Sequence, residues 1–211
     1  LVDGTHNVRF GSLVVGTGYD HTNYADATYR ISGTGTVNAH KIEIAPIGIG
    51  LMIQDSGTVN ATDVVIGGDG TFSGHGGTYR LNGGTMNVGF DAGDVTGGGG
   101  LIVGNSGQGT FLMNAGTLKI GDGDINLQQL GVGLGAGSVG LFEQSGGDVT
   151  VNGKVAIGRD AGSQGTYRLL TDTVNGSLPT LTVTGVTSIG FQGVGVFELQ
   201  TGTAHTITDG L

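Results

Sequence analysis

The sequence predicts an all-β fold: a right-handed parallel β-helix, or β-solenoid, of about seven coils with three short strands per coil. Three observations predict it. Apolar residues alternate with polar ones at period two and are cut every few residues by glycine, which argues strand and turn rather than helix. The same residue types return at the same step from one end of the chain to the other. No single unit has enough apolar surface to bury its own row, so the units make physical sense only when stacked.

The segment Gly135–Gly158, GAGSVGLFEQSGGDVTVNGKVAIG, shows the unit most clearly. Phe142 and Gln144 point one way and Glu143 the other. After the corner Ser145-Gly146-Gly147, Val149 and Val151 point inward around an outward Thr150. A break at Asn152-Gly153 leads to Val155 and Ile157, and Gly158 closes the unit. The first strand of each coil is anchored by a large residue: Tyr29, Met52, Tyr79, Phe111, Phe142, Tyr167 and Phe197. Two positions later, on the same face, stand Ile31, Gln54, Leu81, Met113, Gln144, Leu169 and Leu199. The second strand carries Val37/Ala39, Val59/Ala61, Met86/Val88, Leu118/Ile120, Val149/Val151 and Leu181/Val183. The third opens the chain at Leu13-Val14-Val15-Gly16 and recurs through Leu101-Ile102-Val103-Gly104 to Thr187-Ser188-Ile189-Gly190. Ile42-Glu43-Ile44-Ala45 is the copy without its glycine. The right hand follows from the crossover preference of parallel strands. A buried Gln54 or Gln144 requires an amide ladder or a backbone partner.

Composition narrows the function classes. The chain has 211 residues, 47 of them Gly, with 2 Pro, no Cys and a net charge of −9. Glycine without a G-X-Y period excludes collagen, and a hydrophobic fraction of 36% argues for a packed core rather than disorder. The acidic balance speaks against nucleic acid or an anionic membrane as partner. The absence of Cys excludes a disulfide framework and leaves the compartment open. No apolar run approaches the ~18 residues of a membrane helix. Lacking an initial Met or a signal-peptide pattern, the chain reads as a mature, trimmed or excised piece.

The phrases GTYRLNGGTMNVG (residues 77–89), LIVGNSGQGTFLMNAGTLKIG (101–121) and GLFEQSGGDVTVNGKVAIG (140–158) resemble the glycine-rich β-strand repeats of large secreted bacterial proteins. Autotransporter passenger domains and the repeat regions of PEP-CTERM surface proteins are two such groups. The resemblance covers nearly the whole chain and specifies fold rather than chemistry. It implies a bacterial, secreted, cell-surface or extracellular β-solenoid with an adhesive or structural role.

Candidate chemistry gathers at the corners, where insertions project. Corners swell at 89–100 and 121–129 on consecutive coils, bringing Asp91 and Asp94 near Asp122 and Asp124. Four carboxylates at one edge either hold Ca²⁺ or stand as mutually repelling, solvated loops. No other cofactor is expected. His21 and His75 fall in long corners with Asp20, Asp26 and Asp69 nearby, without HExxH or HxH spacing. Arg30, Arg80 and Arg168 each follow a tyrosine anchor and belong to one outward row, in which Arg168 lies between Glu143 and Glu198. The second strand presents Thr36/Asn38, Thr58/Asn60 and Thr85/Asn87 outward, interrupted further on by Lys119 and Asp148.

These features lead to one solenoid domain over residues 1–211, part of a longer or end-stacked repeat assembly, since neither end reads as a polar cap. The expected role is structural or adhesive, without catalysis, with copies of itself or a surface glycan or protein as partner. The alternatives are a carbohydrate-binding or carbohydrate-active β-helix and an ice-binding solenoid using the Thr-x-Asn face.

Overall fold

A computed structural model describes residues 4–18, 25–68, 76–89, 99–121, 128–171 and 178–207. Among them every regular element is a strand, and the strands pair in parallel into one sheet of seven strands and one of 12. The chain is a β-solenoid.

The seven-stranded sheet forms one side, called here the anchor face. Its strands are Asp26–Ile31, Ile49–Gln54, Gly76–Leu81, Gln108–Met113, Val139–Gln144, Gln164–Leu169 and Val194–Leu199, each lying on the one before it in sequence. Their register is the one the sequence predicts: Tyr29 opposite Met52, then Tyr79, Phe111, Phe142, Tyr167 and Phe197. The 12-stranded sheet wraps the other two sides. Its middle face ends in Thr85–Val88, Thr117–Ile120, Asp148–Val151, Thr180–Val183 and Ala204–Ile207. Its closing face ends in Leu101–Val103, Gln128–Val132, Lys154–Ile157 and Thr187–Ile189.

Two details depart from expectation. In the first turns the second and third strands are not separate. Thr5–Val15, Thr36–Ile44 and Thr58–Ile66 each run through both faces as one bent strand. In Thr58–Ile66 the bend needs no glycine: alternation slips once, at Ala61-Thr62, where two successive residues are both buried, and pairing resumes on the new face. The number of coils also differs. Among the described residues the anchor face has seven strands, with none before Thr5–Val15 and no closing strand after Ala204–Ile207. Complete turns are therefore fewer than the seven expected.

The interior is a column of stacked rows. Val37, Val59, Met86, Leu118, Val149 and Leu181 form one, and Ile44, Ile66, Val103, Val132 and Ile157 another, all buried. The anchor rings stack face to face, with centroids 5.1 Å apart for Tyr79–Phe111, 4.6 Å for Phe111–Phe142 and 4.5 Å for Phe142–Tyr167. That separation is close to the ~4.8 Å between neighbouring strands, so the backbone ladder itself sets the ring spacing.

The corner after each closing strand turns through the left-handed region. Gly104 has φ +77°, and a Cβ there would meet the Val139 carbonyl oxygen of the next turn at 2.5 Å. Only a residue without a side chain fits such an approach. Ala45, at the copy without glycine, adopts φ +51° and is the sole non-glycine residue with positive φ among those described.

Candidate functional site

Two glutamines, Gln54 and Gln144, are buried in the column, and their partners follow a rule. Gln54 is fully buried; its Nε2 donates to the carbonyl oxygens of Gly57 (3.2 Å) and Thr85 (3.0 Å). Its Oε1 accepts from Tyr79 Oη of the next turn at 2.7 Å. Gln144 repeats the arrangement with Gly147 (2.8 Å), Thr180 (3.0 Å) and Tyr167 Oη (2.8 Å). In the first turn His6 Nδ1 lies 2.5 Å from Tyr29 Oη. Each of these three tyrosines therefore meets a polar side chain from the turn before. Where the preceding inward residue is Leu81, Met113 or Leu169, the anchor is Phe111, Phe142 or Phe197. Burial pushes the Tyr79 and Tyr167 phenols far above their ordinary range, so both remain hydroxyl donors.

Outside, the rows form directed ladders. On the middle face Asn38 Nδ2 donates to Asn7 Oδ1 (2.7 Å), Asn60 to Asn38 (2.8 Å) and Asn87 to Asn60 (2.8 Å). Thr36, Thr58, Thr85 and Thr117 stand in register beside them. At the corner between anchor and middle faces runs a second ladder that the sequence reading passed over. Asn114 donates to Asn82 and Asn82 to Asp55, both at 2.8 Å, and Ser145 Oγ lies 3.3 Å from Asn114 Oδ1. Its signal was available: Asp55, Asn82, Asn114 and Ser145 each directly follow the inward residue that ends an anchor strand. Hydrogen bonding from Asn82, aided by Arg30, whose Nε is 2.5 Å from Asp55 Oδ2, holds the Asp55 carboxyl below its usual range. This carboxylate is tied into structure rather than poised to move a proton.

The arginine row is as expected. Arg168 Nε lies 2.8 Å from Glu198 Oε2, and its Nη1 3.8 Å from Glu143 Oε2. Arg80 stands opposite Ile53 and Leu112 in the same row.

The four predicted calcium ligands, Asp91, Asp94, Asp122 and Asp124, lie outside the described residues, as do His21, His75, Asp20 and Asp69. Their stems are neighbours: Val88 pairs with Ile120, and Gly121 N donates to the Val88 carbonyl at 2.9 Å. Among the described residues no cluster of three or more His, Asp or Glu could hold a metal. Nor is any helix among them long and apolar enough to cross a membrane, which says nothing of a β-barrel.

The most exposed apolar surface lies at the C-terminal end of the column. Leu199, Ile189 and Ile207 occupy inward rows, yet they are 53%, 49% and 46% exposed. Their counterparts one turn earlier, Leu169, Ile157 and Val183, are buried. In the same turn two inward positions become polar. Thr187 follows Val155, and His205 follows Leu181 with its ring against Phe197, centroids 4.8 Å apart. Thr187 Oγ1 and His205 Nε2 are both buried without a hydrogen-bond partner among the described residues. Burial also pushes the His205 imidazole below its ordinary pKa, so it is neutral at pH 7. Comparison with protein-family models, curated proteins and solved structures returns no match.

Proposed function

We propose that this chain is a structural and adhesive module of the bacterial surface or extracellular space. It acts as a stiff rod that extends along its axis by addition of further parallel coils, and it holds and displays rather than catalyses. One observation carries the reading: the described turns stack one on another in parallel register through both sheets, with the anchor rings of Tyr79, Phe111, Phe142 and Tyr167 in one continuous face-to-face column. The glycine-rich repeats and the aligned amide ladders support the same reading, since both serve axial continuity. Light scattering and electron microscopy of the purified chain over a dilution series test it. Rod-shaped particles that lengthen with concentration are expected. A chain that stays single at every concentration, with its last turn as protected from hydrogen exchange as its middle turns, overturns the reading.

A second reading rests on the middle face. The Asn amides bond along their own ladder, which leaves an in-register row of threonines beside them to meet a periodic partner, a glycan array or ice. Thermal hysteresis and glycan-array binding test it, and a Thr58→Lys variant that loses neither signal removes it.

A further inference from the structure

We infer that the outward side of the anchor face pairs with the same face of a second copy of this chain. The two columns lie side by side and antiparallel, about a two-fold axis at Leu112. The inference goes beyond the axial rod and stands on a different surface, so either can fail without the other.

The anchor face differs from the middle face beside it. There the first outward rows are Thr and Asn, and the amides bond one another along the axis. On the anchor face the outward side of Ile49–Gln54 is Ile49, Leu51 and Ile53, with no polar residue among them. Val139 and Leu141 bring apolar side chains outward again on a later strand, and Ile49 and Val139 are 38% and 40% exposed. A flat sheet face that turns such strands to water marks an interaction surface.

Charge identifies the partner. Leu112 stands at the middle of one outward row. On one side of it lie Arg80, Ile53 and Arg30, and on the other Glu143, Arg168 and Glu198, each one strand further along the axis. A two-fold axis through Leu112, parallel to the strands, lays this row on itself in reverse. Arg80 then faces Glu143 of the second copy, Arg30 faces Glu198, and Ile53 faces the stem of Arg168, each contact occurring twice. Like charges meet nowhere in the row. Moving the axis by one strand sets Arg80 or Glu143 against itself, and moving it by half a strand sets Arg168 against Arg80 or Arg30. A parallel pair, with the axis along the column, would set Glu143 and Glu198 against Val139 and Val194.

The side chains suit this register. Among the described residues no carboxylate pairs with Arg80. Glu143 is held loosely, at 3.8 Å, because Arg168 commits its Nε to Glu198 at 2.8 Å. In the neighbouring outward row the same operation sets Leu141 against Thr78 and Leu51 against Thr166. Large side chains thus meet small ones, as two sheets ~10 Å apart require. Seven strands of six residues make a face of about 650 Å² per copy, at ~4.8 Å between strands and ~3.3 Å per residue. Two such faces bury about 1,300 Å², within the ~1,200–2,000 Å² of stable protein interfaces.

The test is a pair of charge reversals read by sedimentation equilibrium over a dilution series. The unaltered chain should associate in twos, and electron micrographs should show particles two columns thick, whatever their length. Arg80→Glu and Glu143→Arg should each weaken self-pairing about 30-fold, since both copies of the contact become repulsive. An equimolar mixture of the two variants should pair again, because each contact then joins opposite charges. Leu112→Cys leaves the charges alone and introduces the only thiol in the chain. It should cross-link to a dimer with a bis-maleimide of ~10 Å span, whereas Thr117→Cys on the middle face should not. A chain that sediments singly at every concentration overturns the inference. So does a dimer indifferent to both reversals, or one that Leu112→Cys fails to cross-link. Rods that lengthen without thickening overturn it and leave the axial rod standing. Paired columns that never lengthen support it and remove the axial rod.

Discussion

Tyr167 donates its buried hydroxyl to Oε1 of Gln144 on the preceding turn, 2.8 Å away, while the Gln144 amide nitrogen is spent on two backbone carbonyls. Neither residue is stable in the core without the other, because an orphaned buried polar atom costs ~1–3 kcal/mol. Gln144→Leu and Tyr167→Phe should therefore each destabilise the chain by about that amount in denaturant unfolding. The double variant recreates the Leu81/Phe111 pairing found elsewhere in the column and should recover much of the loss. A double-mutant cycle with no coupling would show that the hydroxyl and the amide are independent.

The same burial makes alkaline pH destabilising. The Tyr79 and Tyr167 phenols are raised in the folded state, while the unfolded chain ionises near the usual ~10. Their contribution is fully present below pH ~10 and is lost as pH rises, because the unfolded state releases protons that the folded state keeps. Each tyrosine should add about 1.4 kcal/mol of lost stability per pH unit above that point. Denaturant midpoints between pH 9 and 12 for the wild type and for Tyr167→Phe check this, with the variant showing the shallower decline.

Much of this architecture is legible in the sequence. The anchor row could be read because a large residue, a skipped position and a second inward residue recur before each glycine corner. The Glu143–Arg168–Glu198 row then followed from shared offset alone. The bent strand Thr58–Ile66 is not legible, because the slip at Ala61-Thr62 is made by ordinary strand-forming residues with no glycine to announce it. The choice between Tyr and Phe was written in the sequence one turn upstream, at His6, Gln54 and Gln144, but becomes meaningful only once the register places those residues beneath the rings. Function was less legible than fold. A ladder of repeats specifies how turns stack, and the end-turn substitutions Thr187 and His205 stand out only when their rows are known to be apolar before them.

Arg168 tests the outer row. Its side chain is 41% exposed, so solvent screens its pairs with Glu143 and Glu198, and they are worth ~0.2–1 kcal/mol at most. Arg168→Glu places three carboxylates in succession along the axis and should lower Tm slightly in low salt and less in high salt. Identical melting at both ionic strengths would mean that the row contributes no electrostatic stability.

The glycine corners make the sharpest contrast. Gly104 and Ala45 close equivalent strands, but with φ of +77° and +51°, and their surroundings differ. Adding a methyl group at Gly104 incurs the left-handed penalty of ~1–2 kcal/mol for a residue with Cβ. It also drives that Cβ to 2.5 Å from the Val139 carbonyl, an oxygen held by the next turn. Gly104→Ala should therefore cost more than the backbone penalty alone and lower Tm by several degrees, at ~2–4 °C per kcal/mol for a chain of this size. The reverse change should be far gentler. Ala45→Gly relieves the same left-handed penalty but gives up a buried methyl worth ~0.8 kcal/mol. It also frees the unfolded chain by ~0.4–1 kcal/mol, so the opposing contributions nearly cancel. Calorimetric melting of the two variants side by side decides the point. Equal and small shifts would show that the closing corners yield to a side chain, and that the glycines there do not hold the turns at their spacing.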